Sequence, residues 1–236
     1  MLTFMQALPG RQSRVMSDGR PAPVTRSTAH ADQRRRVFRA AGELMAKRGY
    51  ADVTVELIVK RARVSYKTFY KHFENKEDCY LALFETSASY AERTIRERLD
   101  AEGSSPWPEQ IAVALRTFVE LIVAEPLIAR AIIVESPTIG PAISKRYEQA
   151  TKAFAPLFRE GRALNPRGAE LPASIENTLA GSVFWSAYQR LIVSETEELV
   201  EYLPVMIELV LRAYVGQGEA ARVARAEAPD REPVAA

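Results

Sequence analysis

Residues 65–73 read Ser-Tyr-Lys-Thr-Phe-Tyr-Lys-His-Phe, a run in which every position but the two phenylalanines can hydrogen-bond or carry positive charge. At helical spacing Phe69 and Phe73, four apart, share a face that can pack on Val37, Leu44 and Ile58. The other face offers Tyr66, Lys67, Thr68, Tyr70, Lys71 and His72. Lys67 and Lys71 suit the neutralisation of phosphates, Thr68 a base edge or a thymine methyl, and Tyr70 and His72 donation to phosphate oxygens. Thr54 and Lys76 stand where two further helices should begin, and backbone N–H groups at helix N-termini favour an anion. The chemistry these types can do is recognition of a polyanion. His72 equally suits a packed position behind Phe73, and that alternative stays open.

Bond-making chemistry finds no support. The chain has no Gly-x-Ser-x-Gly, no metal-ligand spacing from its two histidines, and one cysteine, Cys79, which suits a small buried apolar position. The dinucleotide-like string Gly216-Gln217-Gly218-Glu219-Ala220-Ala221 follows a helical segment instead of a strand. We therefore expect no catalytic residues, no metal and no cofactor, with an all-helical enzyme as a remote alternative.

The polar run must be held out by other elements, and the surrounding pattern supplies them. A first helix is expected from about residue 30 to Arg48, with Val37, Ala41, Leu44 and Met45 on one face and Gly49 at its C-terminal stop. Thr54 caps a short helix over Val55 to Arg61, Ser65 caps a third over Tyr66 to His72, and Asn75 caps a fourth running toward Leu99. Beyond it, five more helices are set off by Pro and Gly: Pro106/Pro108 to Ala124, Pro126 to Glu135, Pro141 to Gly161 kinked at Pro156, Pro172 to Ser194, and Thr196 to Val215 bent at Pro204. Strand-like alternation is scarce, so the fold class is all-α with about nine helices. The expected organisation is a disordered arm over 1–29, a helix-turn-helix domain over 30–76, a helical ligand-binding and dimerisation domain over 77–216, and a flexible tail over 217–236.

Charge is divided along the chain in the same way. Residues 31–76 carry twelve Lys/Arg against five acids, whereas residues 77–236 carry sixteen against twenty-four, within a total of +2. A basic block on an acidic body is the electrostatic footprint of nucleic-acid contact confined to one end. The apolar fraction, 47%, is that of an ordinary globular chain, and no stretch approaches the roughly 18 apolar residues of a membrane span. No signal-peptide pattern opens the chain, so a cytoplasmic location is expected. Arg11, Arg14, Arg20 and Arg26 in the arm suit either a minor-groove contact or an unused leader.

Gly49-Tyr50, Thr54, Ile58, Ala62, Val64-Ser65, Thr68-Phe69-Tyr70, His72-Phe73 and Asn75-Lys76-Glu77 together resemble the TetR/AcrR family of bacterial regulators over residues 33–85. The resemblance implies a homodimer whose recognition helices enter successive major grooves of a partly palindromic DNA operator, with a small-molecule effector altering their separation. Family members usually carry Gly where this chain has Arg63; if Arg63 takes positive φ it costs on the order of 1 kcal/mol and stands near the duplex as an added phosphate contact.

In the body, Phe118, Ile122, Phe154, Phe158, Phe184, Trp185 and Tyr188 form a candidate ligand pocket, although such residues at helical spacing also serve as plain core. The segments 172–194 and 197–215 are apolar on more than one face, which fits burial against both the core and a second subunit. The expected function is DNA-binding regulation, with repression relieved by a small apolar or amphipathic effector. A regulator controlled without such a ligand is the alternative.

Overall fold

The computed structural model describes residues 26–164, 168, 170–193 and 196–228, and among these every regular element is helical. Positions 1–25 of the expected arm, 165–167 and 169 of the loop before Pro172, and 229–236 of the expected tail lie outside the described residues. The chain forms two compact units: one comprises residues up to Tyr90 together with Ala124–Ile139, the other Ala91–Val123 and the chain from Gly140 onward.

The first unit contains α1 (Arg26–Arg48), α2 (Val55–Ala62), α3 (Tyr66–His72), the first part of α4 (Lys76–Glu102), α6 (Pro126–Ile133) and the single turn α7 (Ser136–Ile139). Its core is the apolar stripe of α1, Val37, Phe38, Ala41 and Met45, closed by Ile58, Phe69 and Leu83. Each helix ends where local chemistry requires. Gly49, at φ 80°, donates to Met45 O at 2.9 Å and stops α1 in the left-handed conformation that glycine adopts without penalty. Thr54 Oγ1 accepts Leu57 N–H at 3.3 Å, Ser65 Oγ accepts Thr68 N–H at 3.1 Å, and Asn75 Oδ1 accepts Asp78 N–H at 2.8 Å, so three successive helices carry their expected caps.

Residues 124–139 were expected in the body, and the structure groups them with the first unit instead. Ile128 of α6 lies so close to Gly42 that a Cβ there would collide with it. Arg130 Nε donates to Ala46 O at 2.9 Å, Glu135 accepts Tyr50 N–H at 2.7 Å, and Tyr80 Oη donates to Ala131 O at 2.8 Å. The first two ties satisfy backbone groups left over at and just beyond the end of α1, which short-range sequence patterns do not reveal.

The second unit contains the remainder of α4 with α5 (Trp107–Ala124), α8 (Pro141–Lys152), α9 (Ala155–Arg159), a 3₁₀ turn (Glu160–Ala163), α10 (Ile175–Ile192), α11 (Thr196–Val215) and α12 (Gln217–Ala226). The expected stripe Ile111, Leu115, Phe118 and Ile122 is buried throughout. Where a kink was expected at Pro156, the segment breaks: Pro156 opens α9 at a position that needs no N–H. Arg162 reaches the buried Glu176 carboxylate and the carbonyls of Leu171 (2.7 Å) and Pro172.

The expected flexible tail is corrected over residues 217–226. They form α12, which buries Ala220, Val223 and Ala224. Arg222 pairs with Glu109, and Arg116 pairs with Glu227 at 2.8 Å. Small side chains gave this helix a weak apolar signal, and its ionic partners lie more than a hundred residues away.

Candidate nucleic-acid interface

α3 has only seven residues, too few to persist alone, and tertiary packing of Phe69 holds it in place. Phe69 is 0% exposed and touches Phe73 at 5.4 Å between centroids; Phe73 in turn meets Phe38 of α1 at 5.6 Å. Burial of one such ring contributes about 1.5–3 kcal/mol. The opposite face is open, with Tyr66 48% and Tyr70 55% exposed and Lys67 and Lys71 exposed beside them. Desolvation, then the nearby Glu56 carboxylate, raise the Tyr66 phenol above its ordinary value, so it stands as a proton donor at neutral pH.

Thr68 is half-buried, and its Oγ1 lies 3.0 Å from Ser65 Oγ, so the two hydroxyls at the head of α3 form one unit. Arg63 has φ 53° and ψ 49°, the only positive-φ non-glycine residue among those described. The strain is local and is supported from α1: Arg36 Nη1 donates to both Ala62 O and Arg63 O at 3.2 Å, occupying carbonyls at the end of α2. The Arg63 side chain is exposed.

Three further candidate residues, Lys76, Lys71 and His72, make internal contacts. Lys76 Nζ donates to Tyr50 O at 2.8 Å and sits 4.0 Å above the Tyr50 ring, with desolvation lowering its pKa. Lys71 Nζ lies 3.0 Å from His30 Nε2, and His72 meets His30 edge to face at 5.7 Å. The His72 ring is half-buried, and its Nε2 has no hydrogen-bond partner among the described residues. Thr54, Arg63, Ser65, Tyr66, Lys67, Thr68, Tyr70, Lys71, His72 and Lys76 all belong to the first unit. Sequence reading missed His30, Arg34 and Arg36; the signal for the first two was their four-residue spacing on one face of α1.

In the second unit Phe118, Phe154 and Phe184 form a three-ring cluster with centroids 5.1–5.7 Å apart, and Tyr147 joins at 6.0 Å. Burial and then the nearby Tyr188 push the Tyr147 phenol up to about 12. Ile122 and Phe158 are buried in the same unit. Trp185 is set apart from these pocket candidates: it is 57% exposed and stacks on Tyr188 at 5.1 Å with an interplanar angle of 9°. Burial pushes the Cys79 thiol up, in keeping with its place in the core. Among the described residues no cluster of three metal-ligating side chains occurs, and no helix is long and apolar enough to cross a membrane.

A short capped helix held by two supporting helices within the first unit defines the helix-turn-helix class. Within that class, residues 37–83 match the family of bacterial regulatory proteins, tetR family. A 59-residue stretch is 41% identical to the transcriptional regulator AcuR of Cereibacter sphaeroides, covering 25% of this chain and 27% of that relative. The fold is similar to that of the fatty acid degradation regulator FadR from Bacillus halodurans, with a TM-score of 0.67 and 19% identity over 75% of this chain and 96% of that one. FadR from Bacillus subtilis, solved in complex with stearoyl-CoA, gives 0.58 and 18% over 77% and 97%. Residues 37–83 are thus similar to the tetR family of bacterial regulatory proteins, and the match to the curated relative spans about a quarter of that relative's length.

Proposed function

We propose that this chain binds double-stranded DNA as a two-fold homodimer and represses transcription by occupying an operator of inverted half-sites. The observation that carries the reading is α3 itself, with Phe69 fully buried and Tyr66, Lys67 and Tyr70 open to solvent. In the proposed complex α3 lies in the major groove, Thr68 reads a base edge, and Lys67, Tyr70 and Arg63 contact phosphates. Ser65 caps the helix at its entry to the groove. Exposed Trp185 and Ile192 on α10, with Val200, Val205 and Leu209 on α11, support pairing with a second copy.

Relief of repression is assigned to a small apolar or amphipathic effector bound in the second unit, beside Phe118, Phe154 and Phe184. The similarity to a regulator solved with stearoyl-CoA supports an effector of this chemistry. Such a molecule acts only by binding the DNA-incompetent form more tightly. One observation favours the second reading, a regulator without such a ligand: the three rings are in direct mutual contact, as in a filled core.

Selection of bound sequences from random duplexes tests the main reading. An enriched inverted repeat is expected, an unpaired half-site contradicts the dimer, and no enrichment contradicts DNA recognition. Thermal melting against a panel of amphipathic compounds separates the two modes of control, because a ligand at about 100 times its Kd adds about 2.7 kcal/mol. Silence across the panel favours control without a small molecule.

A further inference from the structure

One seam of the head remains without a role. His30, Arg34 and Phe38 follow one another at four-residue intervals along α1, and Lys71, His72 and Phe73 end α3 against them. The lower part is apolar: Phe38 meets Phe73, and the Arg34 guanidinium covers Phe38 at 4.9 Å. The upper part is nitrogen throughout. Lys71 Nζ lies 3.0 Å from His30 Nε2, the two imidazoles are in edge contact, and His72 Nε2 is buried without a partner. Among the described residues neither Arg34 nor Lys71 has a carboxylate within ion-pair distance.

We infer that His30, Arg34, Lys71 and His72 form a seat for one backbone phosphate of the DNA, and that filling it is accompanied by proton uptake on the imidazoles. The inference rests on the DNA-binding reading above and extends the interface from α3 onto α1. An ammonium donates to an imidazole nitrogen only where that nitrogen keeps its lone pair, so the Lys71–His30 contact belongs to the neutral ring. Two fixed cations and two imidazoles held together without an anion repel one another, and a phosphate oxygen relieves that repulsion. With the phosphate in place, Lys71 turns to it, and a proton added to His30 or His72 is stabilised by opposite charge instead of opposed by like charge.

Desolvation lowers the His72 pKa from 6.5, and His30, Arg34 and Lys71 lower it further. On α1 itself Asp32 pairs with Arg35 at 2.7 Å and Arg36 at 3.7 Å, and on α4 Asp78 accepts the Glu74 N–H at 2.9 Å.

Fluorescence anisotropy with a labelled random-sequence duplex, at constant ionic strength from about pH 6 to 8, provides the test. Wild type should bind several-fold more tightly at the acid end, by up to about tenfold per pH unit for each proton taken up. His30→Gln combined with His72→Gln should flatten this dependence. Arg34→Gln should reduce the slope of log affinity against log salt by about 0.9, the value for one phosphate. Melting curves of both variants confirm that the head is folded. Binding by wild type with no pH dependence, or a dependence that the combined His30→Gln/His72→Gln variant leaves intact, overturns the seat while leaving DNA recognition standing. Failure of wild type to bind any duplex in low salt overturns both.

Discussion

Glu135 accepts the backbone N–H of Tyr50 at 2.7 Å, joining residues 85 positions apart. Tyr50 directly follows the glycine that stops α1, so its N–H cannot be used within a helix, and the carboxylate supplies a charge-assisted acceptor. From the other side Lys76 binds the Tyr50 carbonyl. The turn that orients α1 against α2 is thereby fixed at both peptide groups.

Glu135→Ala should lower the stability of the first unit by about 1 kcal/mol, the low end of the cost of leaving an N–H unsatisfied, because this one is only part-buried. Glu135→Gln keeps an acceptor and should recover most of the loss. Thermal melting followed by circular dichroism measures both. Equal destabilisation by the two substitutions would show that the negative charge, and not the acceptor, is what matters.

Arg63 offers a trade between stability and binding. At φ 53° it sits where glycine is free and an L side chain is strained by about 1–2 kcal/mol, so relief of strain in Arg63→Gly is opposed only by glycine's greater freedom in the unfolded chain. The variant should melt no lower than wild type yet bind every duplex more weakly, with a shallower salt dependence. A lower melting temperature with unchanged binding would assign Arg63 a structural role instead.

Much of the head was legible because its determinants are local. Gly49, Thr54, Ser65 and Asn75 each act within four residues of the helix end they define, and Phe69 and Phe73 declare their face by spacing alone. What stayed hidden depends on distant partners. Residues 126–135 read as an ordinary body helix, since nothing local shows that Arg130 and Glu135 bind the end of α1. The Lys71–His30 contact spans 41 positions. Phe184 and Trp185 are adjacent aromatics of similar apolar character, and only the packing of α10 turns one inward and the other to solvent. The terminal helix escaped notice because alanines bury too little surface to mark a stripe.

Acid should loosen the second unit through Glu176. Its hydrogen bond to Arg162 holds the carboxyl below 4.5, against the opposing effect of desolvation. A depressed folded-state pKa means the contribution is complete above about pH 4.5 and is lost as pH falls through the lower folded value. Melting curves of wild type and Glu176→Gln should therefore differ most above that pH and converge below it. A constant difference across the range would contradict the linkage.

The central claim is that α3 presents a DNA-reading face, and a salt titration of duplex binding by wild type, Lys67→Ala and Thr68→Ala tests it most directly. Lys67→Ala should weaken binding to all sequences and lower the salt slope by about 0.9, whereas Thr68→Ala should change which sequences are preferred and leave the slope unchanged. If both variants bind as wild type does at every salt concentration, α3 is not the reading helix.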